Sequence, residues 1–128
     1  MKRLLWVPVI ALALALSTSS SVQAQMMEPA EGEQVEMIVH VVDLSCKVVY
    51  NLQGEEMHRE CAQVCADKGI PLGFIDADGE LYLPVSQAMP GNGSNEALRG
   101  HAEHQVTVVG KVIKRGGLNT IVVESVKM

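Results

Sequence analysis

Three side chains able to bind metal or carry redox chemistry, His58, Cys61 and Cys65, stand at i, i+3 and i+7 in Glu55-Glu56-Met57-His58-Arg59-Glu60-Cys61-Ala62-Gln63-Val64-Cys65-Ala66-Asp67-Lys68-Gly69. On a helix this spacing sets all three along one face, because residues three and four apart are neighbours on the cylinder. The third cysteine of the chain is Cys46. Thiolate and imidazole are donors that suit Cu(I) and Zn(II), and either can be an axial ligand to a haem iron. Cys46 could fold back as a fourth ligand, completing a tetrahedral set with His58, Cys61 and Cys65. The spacing is not that of a zinc finger, so copper, zinc and haem all stay open.

The same residues admit two other readings. In an oxidising compartment cysteines tend to pair. A bridge from Cys46 to Cys61 or Cys65 would pin the helix to the rest of the domain, stabilising it by about 2–4 kcal/mol. His58 would then be a plain surface residue, and the protein an interaction module with a protein partner and no cofactor. Cys61 and Cys65 cannot easily bridge each other at i, i+4, since their Cβ vectors diverge. Because three is an odd number, one thiol must stay free, bind something, or link the chain to a second copy as a dimer. The third reading is a redox-active thiol, which needs positive charge to hold its thiolate. Arg59 and Lys68 are near, but Glu55, Glu56 and Glu60 surround them, and there is no Cys-x-x-Cys.

Other constellations are weaker. His101 and His104, in His-x-x-His with Glu103 between them, could share a second metal at the end of a short helix, although such pairs more often face solvent. Asp76-x-Asp78-Gly79-Glu80 resembles half of a calcium loop but lacks the later ligands and the final bidentate glutamate. A hairpin turn explains it better. The methionines do not form a repeated Met-x-x-Met, and packing accounts for them. There is no Gly-x-Ser-x-Gly, His-Glu-x-x-His or phosphate-cradling glycine loop. The expectation is a binding protein rather than an enzyme.

The elements that must position these side chains can be read from periodicity. Val35, Met37, Val39 and Val41 alternate through a β-branched segment, which predicts a strand from residue 35 to about residue 44. Asp43-Leu44-Ser45-Cys46 leaves that strand, and residues 51–54 are turn-like. A helix over about residues 55–68 follows, with Glu55 and Glu56 at its positive end, Lys68 at the other, and Gly69 as its stop. Two short apolar runs flank Ala77-Asp78-Gly79, a strong hairpin signal. Residues 87–93 read as a loop, and Ser94 can cap a short helix ended by Gly100. Two final strands alternate around Gly116-Gly117, with Gly110 suited to sharp coiling of the first. Five strands with a helix between the third and fourth is the order of an OB-fold, a small, partly open barrel. The predicted class is therefore mainly β: a five-stranded OB-like barrel with an extra helix after strand one.

The closing pattern Val106-Thr107-Val108-Val109-Gly110-Lys111-Val112 … Ile121-Val122-Val123-Glu124-Ser125-Val126 resembles the final hairpin of small exported bacterial OB-fold proteins. The resemblance covers the last quarter of the chain. It implies the barrel and brings no functional residue with it.

At the other end, Lys2 and Arg3, an apolar run over residues 4–16, a serine-rich stretch and Val22-Gln23-Ala24 read as a signal peptide over residues 1–24. The run is too short for a stable membrane span. The expectation is a periplasmic or secreted protein without stable membrane insertion, with an acidic arm over residues 25–34 and one domain over residues 35–128. From Gln25 on, 8 basic residues face 15 acidic ones, a net charge of −7. That balance repels phosphate backbones and anionic lipid. Only Tyr50, Phe74 and Tyr82 remain as aromatics, too few for a stacking platform, so nucleic acid is not an expected partner.

Overall fold

The computed structural model describes residues 28–128; the expected signal peptide and the first residues of the arm lie outside the described residues. The elements run β1 (Glu33–Asp43), α1 (Leu44–Tyr50), α2 (Glu56–Asp67), β2 (Leu72–Ile75), β3 (Leu81–Pro84), α3 (Asn95–Leu98) with a 3₁₀ turn (Arg99–His101), β4 (Gln105–Arg115) and β5 (Leu118–Lys127). The strands close into a barrel in the order β1-β2-β3-β5-β4. This is the expected mainly β, OB-like architecture.

Strand β1 belongs to both sides of the barrel. Its antiparallel register with β4 runs from Glu33 opposite Val112 to His40 opposite Gln105. Its register with β2 then runs from His40 opposite Ile75 to Asp43 opposite Leu72. Closure comes from a parallel seam, where Leu83 and Pro84 of β3 pair with Thr120 and Ile121 of β5. Inward-facing Val39, Val41, Phe74, Val106, Val108 and Ile121 fill the barrel, each nearly or fully inaccessible to solvent. At its far end β1 stops alternating: Val41, Val42 and Asp43 are all buried. Helices α1 and α2 lie against this end, so the strand is covered on both faces there.

The β4–β5 ladder shifts register between Val109 and Gly110. A Cβ on Gly110 would strike the backbone oxygen of Val122, so the bulge needs glycine for close approach of two backbones. The Asp78-Gly79 turn forms as predicted, with Gly79 at φ 85°. The Asp76 carboxylate accepts from the backbone N–H groups of Asp78 and Glu80, both at 2.9 Å. These bonds make the acidic triplet a hairpin device.

Two features after strand one differ from expectation. Helix α1 follows β1 directly, where the sequence reads as an irregular exit, so two helices rather than one are inserted there. Asp43 ends the strand and caps the helix, its Oδ1 accepting from the Cys46 N–H at 3.0 Å. That satisfies one of the unpaired donors of the first turn. Asn51, at φ 57°, closes α1 in the left-handed region. Near the short helix, Ser94 occupies the N-cap position but makes no side-chain cap bond. Asn95 acts instead, donating to the carbonyls of Ala66 (3.0 Å) and Ile70 (2.7 Å) and accepting from the Leu72 N–H (3.0 Å). It stitches the end of α2 to the start of β2. Among the described residues, no helix is long and apolar enough to cross a membrane.

Candidate functional site

Helix α2 settles with His58, Ala62 and Ala66 buried. At 100° per residue this centres the inner face on Ala62. His58 is therefore turned into the protein, Cys65 is half-buried at the edge of the contact, and Cys61 is exposed on the outer flank. The face shared by His58, Cys61 and Cys65 exists, but it straddles the boundary between core and solvent.

His58 is fixed from outside its own helix. Its Nδ1 meets Glu103 Oε1 at 3.1 Å, with the Glu103 side chain fully buried. With Glu103 accepting, Nδ1 carries the proton and Nε2 is left as the ring's ligating atom. Nε2 is buried and has no hydrogen-bond partner among the described residues. The other oxygen of Glu103 accepts from the Gly54 N–H at 2.6 Å. Glu103 has a φ of 61°, and its backbone N–H donates to the Val41 carbonyl at 2.8 Å. A non-glycine residue in the left-handed region persists only when its surroundings hold it there. Here the backbone bond to β1 and the two carboxylate bonds do so.

The three cysteines carry free thiols, and they surround Asp43. Cys65 makes a hydrogen-bonding contact with the Asp43 carboxylate. That contact, partial burial, and the charges of Asp43 and Cys61 push its thiol up to about 11. Burial raises the Cys46 thiol, with Asp43, Cys61 and Glu103 adding to the effect. Cys46 on α1 and Cys61 and Cys65 on α2 therefore lie within each other's electrostatic reach across the helix pair. Asp43 is itself buried, and its Oδ2 has no well-formed hydrogen bond among the described residues.

Two buried ligating atoms without partners, Asp43 Oδ2 and His58 Nε2, thus flank three free thiols. No three of the His, Cys, Asp and Glu donors among the described residues are yet gathered closely enough to hold an ion. His101 and His104 do not join the cluster through any hydrogen bond. The Nδ1 of His104 faces the Arg59 guanidinium at 3.5 Å, and Nδ1 of His101 is buried without a partner. Asp43 and Glu103 are the site residues that sequence reasoning missed. An aspartate directly before a helix start is a capping signal that could have marked the first. Glu103 is joined to His58 across 45 residues of sequence, and no local pattern marks that.

No protein-family model matches the chain, and comparisons with curated proteins and with solved structures give no match.

Proposed function

We propose that this is an exported binding protein for a soft metal ion, Cu(I) or Zn(II), held by Cys46, Cys61 and Cys65 with Asp43 or His58 completing the shell. The observation that carries the reading is the gathering of three free thiols from two helices around a buried carboxylate oxygen that lacks a partner. A cation entering here would displace thiol protons and neutralise a cluster of like-charged donors. Donors arriving from adjacent short helices suit a bare ion better than an axial contact to haem. The Glu103–His58 pair supports the same reading, since a metal-binding imidazole commonly gives its other N–H to a carboxylate.

The thiol-redox alternative is weaker on the same geometry. A nucleophilic cysteine needs a lowered pKa, and the surroundings of Cys46 and Cys65 raise theirs. A specific observation does favour the interaction-module reading. An apolar groove of about 370 Å³ runs between α1 and the β4–β5 turn, lined by Leu44, Val48, Leu81, Leu83 and Leu118 among others.

The deciding experiment is titration of the reduced protein, under anaerobic conditions, with Zn(II) and with Cu(I) against a competing chelator. The expected result is one ion per chain, with affinity falling at least tenfold in each of Cys46→Ser, Cys61→Ser and Cys65→Ser. Co(II) in place of zinc should give a thiolate charge-transfer band. Binding that ignores all three substitutions would sink the metal reading and move attention to the groove.

A further inference from the structure

Helix α2 carries a second face that the thiol cluster does not explain. Met57, Cys61 and Val64 stand at i, i+4 and i+7. Met57 is 95% exposed, Val64 is 46% exposed, and the Cys61 thiol is exposed between them. The opposite side of the helix is the buried one, so this stripe of apolar side chains and sulfur faces water without a partner. Charges bracket it: Glu55 stands before the first turn and Lys68 after the last. Neither enters an ion pair among the described residues.

We propose that this stripe docks on the same stripe of a second copy of the chain. The two α2 helices run antiparallel across a two-fold axis that passes by Cys61, bringing the two Cys61 thiols together. The occupant follows from self-complementarity, which a two-fold contact demands. Met57 and Val64 lie four and three residues from Cys61 on opposite sides, and Glu55 and Lys68 lie six and seven residues away. Turning one helix end for end about Cys61 therefore sets Met57 against Val64 of the second copy, and Glu55 beside its Lys68. A parallel pairing would oppose Glu55 to Glu55 and Lys68 to Lys68, which is repulsive at both ends. The antiparallel contact also places the thiol clusters side by side, so Cys61 of the second copy becomes an added donor to each. The arrangement stands with or without a bound metal, so its test is run without one.

The test is disulfide trapping of the reduced, metal-free protein with oxidised glutathione, in the presence of chelator. Two Cys61 thiols join in one S–S bond; their two electrons and two protons pass to glutathione disulfide, which leaves as two glutathione molecules. Intact mass and peptide mapping read the product. The expected product is a covalent dimer linked Cys61 to Cys61, formed equally by Cys46→Ser and Cys65→Ser. Lys68→Glu should slow its formation roughly tenfold through repulsion. Adding Glu55→Lys to that chain should restore the rate, because each swapped charge then meets its opposite. A dimer joined through Cys46 or Cys65 would overturn the proposal. So would a bridge within one chain, a chain that ends only as a glutathione adduct, or a rate indifferent to Lys68→Glu. None of these outcomes bears on whether the single chain binds zinc or copper, so the two readings fail separately.

Discussion

Asp43 closes a strand, caps a helix and lies against a thiol, and these roles can be separated by one substitution. Asn in place of Asp keeps an acceptor for the Cys46 N–H, since both residues are good N-caps, but removes the charge beside Cys65. We predict that Asp43→Asn lowers the Cys65 pKa from about 11, so that Cys65 reacts with iodoacetamide several-fold faster at mildly alkaline pH. Peptide-resolved alkylation rates would read this, and an unchanged rate would mean that burial alone holds the proton. The same shift has a consequence for stability. The native thiol titrates above the value of 9.0 for an unperturbed cysteine, so the folded state favours the protonated form. That contribution is complete below about pH 9 and is lost as pH rises towards about 11. Urea midpoints of the reduced, metal-free protein should therefore fall across that window, and fall less in Asp43→Asn.

At the level of elements, the site depends on long-range latches more than on the helices themselves. Glu103→Ala would strand the buried Nδ1 of His58 and the Gly54 N–H together. Its expected cost is about 2–4 kcal/mol, from two buried donors losing their acceptor. Asn95→Ala would release α2 from β2 at three backbone groups, with an expected cost of about 1–3 kcal/mol. Urea denaturation of both variants checks these values, and losses below a few tenths of a kcal/mol would remove the latch from the account. These elements also explain what could be read beforehand. The long strands show their alternation, Asp78-Gly79 marks its turn, and α2 is bracketed by acidic residues and Gly69, so they are legible in the chain itself. Helix α1 is not. It has seven residues, and Val48, Val49 and Tyr50 at its end prefer extended structure. Only the Asp43 cap and the packing on β1 make it a helix. The inner face of α2 was likewise hidden, because what turns His58 inward is Glu103, brought close by tertiary folding.

At the scale of the whole molecule, the barrel is a single loop of pairings with one demanding corner. Gly110→Ala would drive a methyl group into the Val122 backbone at the bulge. The expected loss is about 3 kcal/mol or more, since backbone rather than a flexible side chain must give way. Thermal unfolding followed by circular dichroism should show a far lower midpoint or no folded state, whereas a change within a degree would mean that the bulge can relax. The order of pairing along the chain also has a consequence in time. The three cysteines and Asp43 all precede β4 and β5, yet β4 is the long neighbour of β1 and β5 supplies the seam that closes the ring. Glu103, which holds His58, comes after the helices too. In a chain made from its N-terminus, Cys46, Cys61 and Cys65 emerge while the strands that complete their shelter do not yet exist. Each newly made molecule thus passes through an interval when its sulfur chemistry is open to oxidants and to other chains, and the arrival of the last strand ends it.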